Sequence, residues 1–147
     1  MTLPLMLLHA ASTLYMVGLI WFVQLVHYPL AGQVGPEAFV AYQQAHMSRT
    51  SLAVGPPMLL EVLTTAALLW ARPEGVPPWA LWAGAFLLAV VWASTGLLQV
   101  PQHGELLQGY DAETVARLVR GNWLRTAAWT LRGVLAVGIL GWAWEAR

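Results

Sequence analysis

Apolar residues fall into four runs, at roughly 5–28, 52–71, 79–100 and 123–144, separated by shorter polar stretches. Each run is close to the ~20 residues that a membrane-crossing helix needs. The few polar residues inside the runs are not scattered. In the first run His9, Thr13, Met16, Gln24 and His27 fall near one helical face, with His9 and His27 about five turns apart and therefore aligned at opposite ends. In the third, Thr95, Gln99 and His103 follow an i, i+4, i+8 line, provided that the helix continues past Pro101. In the fourth, Asn122, Arg125, Thr126, Trp129 and Arg132 make a polar stripe.

Four crossings put both termini at one membrane face, A, and the 1–2 and 3–4 connections at the other, B. The B-side connections carry short amphipathic helices. Phe39, Tyr42, Gln43 and His46 recur at helical spacing after Pro36; Val115, Leu118 and Val119 oppose Arg117 and Arg120 after the cap residue Asp111. The A-side connection, Arg72 to Pro78, is short and rich in proline. Trp70, Trp79, Trp82, Trp142 and Trp144 form an interfacial belt at face A, with Trp123, Tyr28, Tyr42 and Tyr110 at face B. Pro29-x-x-Gly32 followed by Arg49-Thr50 resembles Pro101-x-x-Gly104 followed by Arg125-Thr126, which suggests two similar helical hairpins.

Composition agrees with this pattern. Hydrophobic residues are 59% and charged residues 10% of the 147, against roughly 45–50% and 25% in soluble domains. The expected fold is a single all-α domain, an integral membrane four-helix bundle. Arg49, Arg117, Arg120 and Arg125 at face B outnumber Arg72 and Arg147 at face A, which places face B in the cytoplasm of a bacterial-type inner membrane and the termini outside. Every basic residue is Arg and cysteine is absent. Schiff-base, thiolate and Fe–S chemistry are thereby excluded. The zero net charge offers no basic stripe for nucleic acid. A redox role would need haem b, a His-ligated metal, a quinone, a flavin, or substrate and oxygen alone.

Polar groups at membrane depth are costly and face a partner or a cavity. His27, His46 and His103 converge at face B with Gln24, Gln99, Gln102, Asn122 and Arg125, defining a candidate pocket. The histidines suit either metal ligation or general acid–base work. His9 is a buried hydrogen-bonded residue or an axial haem ligand. Glu61 and Arg132 lie at similar depth and read as an ion pair. That pair is either a staple between the second and fourth spans, or a proton acceptor at the pocket floor with an arginine that binds substrate. Gly55-Pro56-Pro57 either kinks the second span or starts its helix. Trp123 and Trp129 either wall an aromatic pocket or pack. Small residues at Ala66, Ala67, Gly84, Ala85, Gly133, Ala136 and Gly138 allow close helix packing, within the chain or in a homo-oligomer or larger assembly.

The stretches Val100-Pro101-Gln102-His103-Gly104-Glu105-Leu106 and Asn122-Trp123-Leu124-Arg125-Thr126, with Tyr28-Pro29, resemble the anthrone-oxygenase-like family of small four-helix membrane proteins. His103 stands where that family carries Asn, and a family His between the Trp and the Arg is missing. The resemblance implies oxidation of a polycyclic aromatic substrate and nominates His103, Asn122, Trp123 and Arg125. A weaker similarity, through Leu8-His9, Phe22, His27 and Met58, is to the membrane-embedded protoporphyrinogen oxidase of haem synthesis, and would make His9 a haem ligand. The expected function is a redox or oxygenase-like membrane protein acting on a lipophilic molecule. Its proton acceptor would be Glu61, its anion or substrate clamp Arg125, and its ligands or acid–base groups His27, His46 and His103. The alternative is a non-catalytic binding, accessory or transport module.

Overall fold

The computed structural model describes residues 2–146, and Arg147, expected at face A, lies outside them. Four helices make up the bundle: α1 Thr2–Ala31, α2 Pro36–Ala71, α3 Pro78–Gln108 and α4 Ala112–Glu145. All four are long and apolar enough to cross a membrane. Large apolar side chains that would be buried in a soluble protein cover the outside, among them Leu63, Phe86, Leu97 and Val134. Lipid is the solvent that this surface fits.

Helix ends follow local chemistry. Pro36 and Pro78 occupy first-turn positions, where a missing N–H costs nothing. Asp111 caps α4, its carboxylate accepting from the Thr114 N–H at 2.7 Å. In the A-side turn Gly75 has φ +77°, and a Cβ there would collide with Ala146 and with the Trp142 carbonyl. Only glycine lets this turn lie against the end of α4.

The amphipathic segments at face B are helical and run without a break into the spans beyond them, as the first turns of α2 and α4. No residue between Pro36 and Gly55 interrupts backbone pairing, so the interfacial and transmembrane parts are one rod. Pro56 and Pro57 therefore sit inside α2, not at its start. Pro57 cannot donate to the Ala53 carbonyl one turn back. The Tyr15 hydroxyl takes that place from α1, donating to Ala53 O at 3.4 Å.

The two hairpins share an unusual device. Val23–His27 and Thr95–Gln99 are single π-helical turns, closed by Tyr28 N–H to Val23 O and by Val100 N–H to Thr95 O. Each ends two residues before a proline, Pro29 or Pro101. The two π turns are offset in sequence by the same interval as the two prolines and as Gly32 and Gly104. The extra residue in each π turn rotates the downstream residues by about 100° relative to a straight helix. Helix α3 accordingly continues past Pro101 to Gln108.

Three apolar layers fill the bundle. Met6, Leu68, Leu81 and Ile139 pack near face A, Met16, Met58, Val91 and Trp129 in the middle, and Tyr28, Phe39, Leu106 and Leu118 near face B. Gly133 lets α4 approach α1, since a Cβ there would lie 2.9 Å from Val17. Gly84 has open space around its Cβ position, so its role is different: its carbonyl accepts from Arg132.

The Asp111 cap has a pH consequence. Hydrogen bonds from Thr114 hold its carboxyl below the ordinary aspartate value near 3.8. A depressed folded-state pKa stabilises the helix start above that ordinary value and loses the effect as pH falls through the lower folded one. Amide exchange at Thr114 and Val115 should accelerate below about pH 4 relative to the rest of α4. In Asp111→Asn, which keeps an uncharged cap, that acceleration should disappear.

Candidate functional site

The π turns decide what reaches the face-B interior. After the first, His27 and Tyr28 point toward α2 and α3; after the second, His103 meets Tyr28 of α1 and Gln43 and His46 of α2. His27 Nε2 lies 2.7 Å from His46 Nδ1, which also lies 3.1 Å from the Thr50 hydroxyl. The His27 and His46 rings stack with centroids 4.6 Å apart, and the His103 ring sits 4.9 Å beyond His46. Tyr42 completes the outer end, its hydroxyl 3.4 Å from His27 Nε2. His103 is held at both ring nitrogens, by the Tyr28 hydroxyl at 3.1 Å and the Gln43 amide at 2.9 Å.

His27 and His46 are thus joined by a hydrogen bond, and His103 meets His46 only through its ring face. Among the described residues no three His, Cys, Asp or Glu side chains are disposed to share a metal ion. His9 is elsewhere. Its Nδ1 meets the Thr64 hydroxyl at 3.0 Å, and the void beside it, about 10 Å³, has room for about one water, not a porphyrin.

Glu61 and Arg132 form the expected pair, with Arg132 Nη2 3.2 Å from Glu61 Oε1 and both side chains essentially fully buried. The remaining valences are used. Trp129 Nε1 donates to Glu61 Oε2 at 3.0 Å, and Arg132 donates to the Gly84 carbonyl and to Thr65. The pair therefore ties α2, α3 and α4 together.

A larger cavity encloses about 370 Å³ between α1, α2 and α3. Met16, Ile20, Val54 and Met58 wall its apolar part. Tyr28, His46, Gln99, His103 and Arg125 close its face-B end. Leu59, Trp92 and Val100 on its rim are exposed, so it opens sideways between α2 and α3, at membrane depth. Gly55, next in the chain to Pro56, lies along this wall. Glu61 and Trp129 do not line this cavity, and Arg132 borders only the small void near His9.

Gln24 and Asn122 stand behind the cavity. Asn122 donates to Gln24 Oε1 at 2.8 Å and accepts from Arg125 Nη1 at 3.3 Å, while Gln24 donates to the Val119 carbonyl. Trp123 is apart from the cavity, exposed and edge-on to Trp21. The structure thus brings His46, Gln99, His103 and Arg125 to one wall, His27, Gln24 and Asn122 just behind it, and sets His9, Glu61, Trp123, Trp129 and Arg132 apart. Gln43 and Thr50 join the site at helical spacing from His46 on the regular helix α2, whereas Tyr28 joins it through the π turn of α1. The proline one residue after Tyr28 was the available clue to a π turn. Comparison with family models, with curated proteins and with solved structures finds no match to this chain.

Proposed function

We propose that the chain binds a lipophilic molecule drawn from the bilayer, apolar body against Met16, Ile20 and Met58 and polar end against His46, His103 and Gln99. The single observation that supports this is the shape of the cavity: apolar along its length, polar at one end, and open toward the lipid. Its volume lies near the lower end of the range for small-molecule pockets, roughly 300–1,000 Å³, which suits one chain or one fused ring system.

Gly55 offers a test that separates binding from folding. It lines the cavity, and nothing stands within 4 Å of where its Cβ would be. Gly55→Phe should fill the space, while the loss of a mid-helix glycine offsets part of any strain. Organic extracts of purified wild-type protein should contain a stoichiometric lipophilic molecule, and extracts of Gly55→Phe should lack it at an unchanged thermal midpoint. Equal content in both proteins would overturn the reading.

A second reading, conversion of the bound molecule, is favoured by the imidazole pair. His46 faces the cavity and its Nδ1 lies 2.7 Å from His27 Nε2, an arrangement suited to taking a proton from the ligand at His46 and passing the Nδ1 proton to His27. The resemblance to anthrone-oxygenase-like proteins points to molecular oxygen as the oxidant. Oxygen uptake that depends on an added anthrone and is lost in His46→Phe supports conversion. Saturable binding with no uptake leaves a binding module.

A further inference from the structure

The described interior holds three buried charged side chains, Glu61, Arg125 and Arg132. Glu61 is fully engaged by Arg132 and Trp129. Arg125 therefore lacks a counter-charge: none of the ion pairs among the described residues includes it. Its partners are the Asn122 side-chain oxygen, the Tyr28 hydroxyl and the face of Trp129, 5.2 Å away. All are neutral.

Among the described residues two buried side-chain nitrogens have no acceptor, and both belong to cavity-lining residues: Arg125 Nε and Gln99 Nε2. An uncompensated guanidinium at membrane depth is strongly unfavourable. Orphan donors add a further penalty unless something accepts from them. Both nitrogens are themselves covered by protein, but both residues line the polar end of one cavity, so an anion with at least two acceptor oxygens entering there, met by a modest turn of each side chain, supplies the counter-charge and the acceptors that they lack.

We infer that Arg125 and Gln99 form an anion subsite, and that the cavity takes an amphiphile whose apolar body carries a single carboxylate-like head. This rests on the proposed lipophilic pocket and adds the charge of its ligand. The limited volume favours one chain or ring system over a two-chain phospholipid.

The test is equilibrium binding to the purified chain in an uncharged maltoside detergent, using two pairs of probes matched in body and differing in head. The first pair is palmitate and hexadecanol, the second 2-naphthoate and 2-naphthol. Phosphatidylglycerol competes as the bilayer source of an anionic head. In at least one pair the anion should bind saturably, about tenfold or more tighter than its neutral partner, and phosphatidylglycerol should not displace it. Arg125→Gln should level the pair, and Arg125→Lys should keep part of the preference. Equal binding of anion and alcohol by the wild type would overturn the anion subsite and leave the lipophilic pocket standing. Binding of no probe would overturn both. Displacement by phosphatidylglycerol would assign the subsite to a membrane lipid and overturn the single-chain ligand. Because the anion–alcohol comparison is made in the wild type, it decides the proposal even where Arg125→Gln does not fold.

Discussion

Glu61→Gln is expected to destabilise the bundle by about 3–5 kcal/mol, as breaking one side of a buried ion pair does elsewhere. Glutamine keeps the volume and leaves an oxygen for Trp129 Nε1. What it removes is the charge that neutralises Arg132, a residue 2% exposed with nowhere to relax. The Gly84 carbonyl and the Thr65 hydroxyl would still accept from Arg132, but neither carries charge. Pairing the change with Arg132→Met should recover most of the loss, because an apolar side chain of similar length has no charge to strand. Thermal and denaturant unfolding in detergent would measure both variants. A single variant as stable as the wild type would mean that the pair is not fully desolvated. Glu61 does not line the cavity, so whatever double-variant protein folds should bind ligand normally. That result separates the staple from the proton-acceptor role.

The pair also shows how far depth-counting reaches. Glu61 and Arg132 meet because each lies at the same height above face B, a quantity the residue spacing carries when a helix is regular. The same argument identifies the four spans and the face to which His27, His46 and His103 converge. It does not extend to contacts that depend on helix phase. The π turn before Pro29 rotates Tyr28 and the residues after it by about 100° relative to the upstream face that carries His9, Thr13 and Met16, and the π turn before Pro101 rotates His103 likewise relative to the upstream part of α3. A π turn depends on a balance of backbone pairing that composition does not display, and the proline downstream is its only local trace. Trp123 illustrates the converse: its neighbours in sequence, Asn122 and Arg125, are interior, but it lies on the other side of a regular helix and meets Trp21 at the surface.

The hairpin resemblance acquires a physical meaning from the same feature. Pro29 and Pro101 each come after a widened turn, and each is succeeded by a small residue, Gly32 or Gly104, on the way to the next span. Both hairpins thus deliver polar side chains inward at one height. They differ in what they deliver. The first contributes His27 and, through α2, His46; the second contributes His103 and, through α4, Asn122 and Arg125.

Asn122→Leu is expected to have the second large effect, a loss of about 2–4 kcal/mol accompanied by weakened ligand binding. Asn122 is 0% exposed and serves two groups at once, donating to Gln24 Oε1 and accepting from Arg125 Nη1. Leucine fits the volume but leaves both partners unsatisfied, and each buried orphan costs about 1–3 kcal/mol. Replacing Gln24 by leucine as well should return the part belonging to the amide pair, since two apolar groups in contact strand nothing. The part belonging to Arg125 should persist in the double variant. The guanidinium, no longer steered by Asn122, can rotate toward the cavity or away from it, so ligand affinity should fall even where stability is recovered. Asn122 is thus a positioning residue for Arg125, and Asn122→Asp distinguishes this role from simple packing. An aspartate keeps the shape and supplies the counter-charge that Arg125 lacks. It should therefore hold the arginine more tightly while abolishing the preference for an anionic ligand over its neutral analogue. If Asn122→Asp retained that preference, the charge that attracts the ligand would have to lie elsewhere than on Arg125.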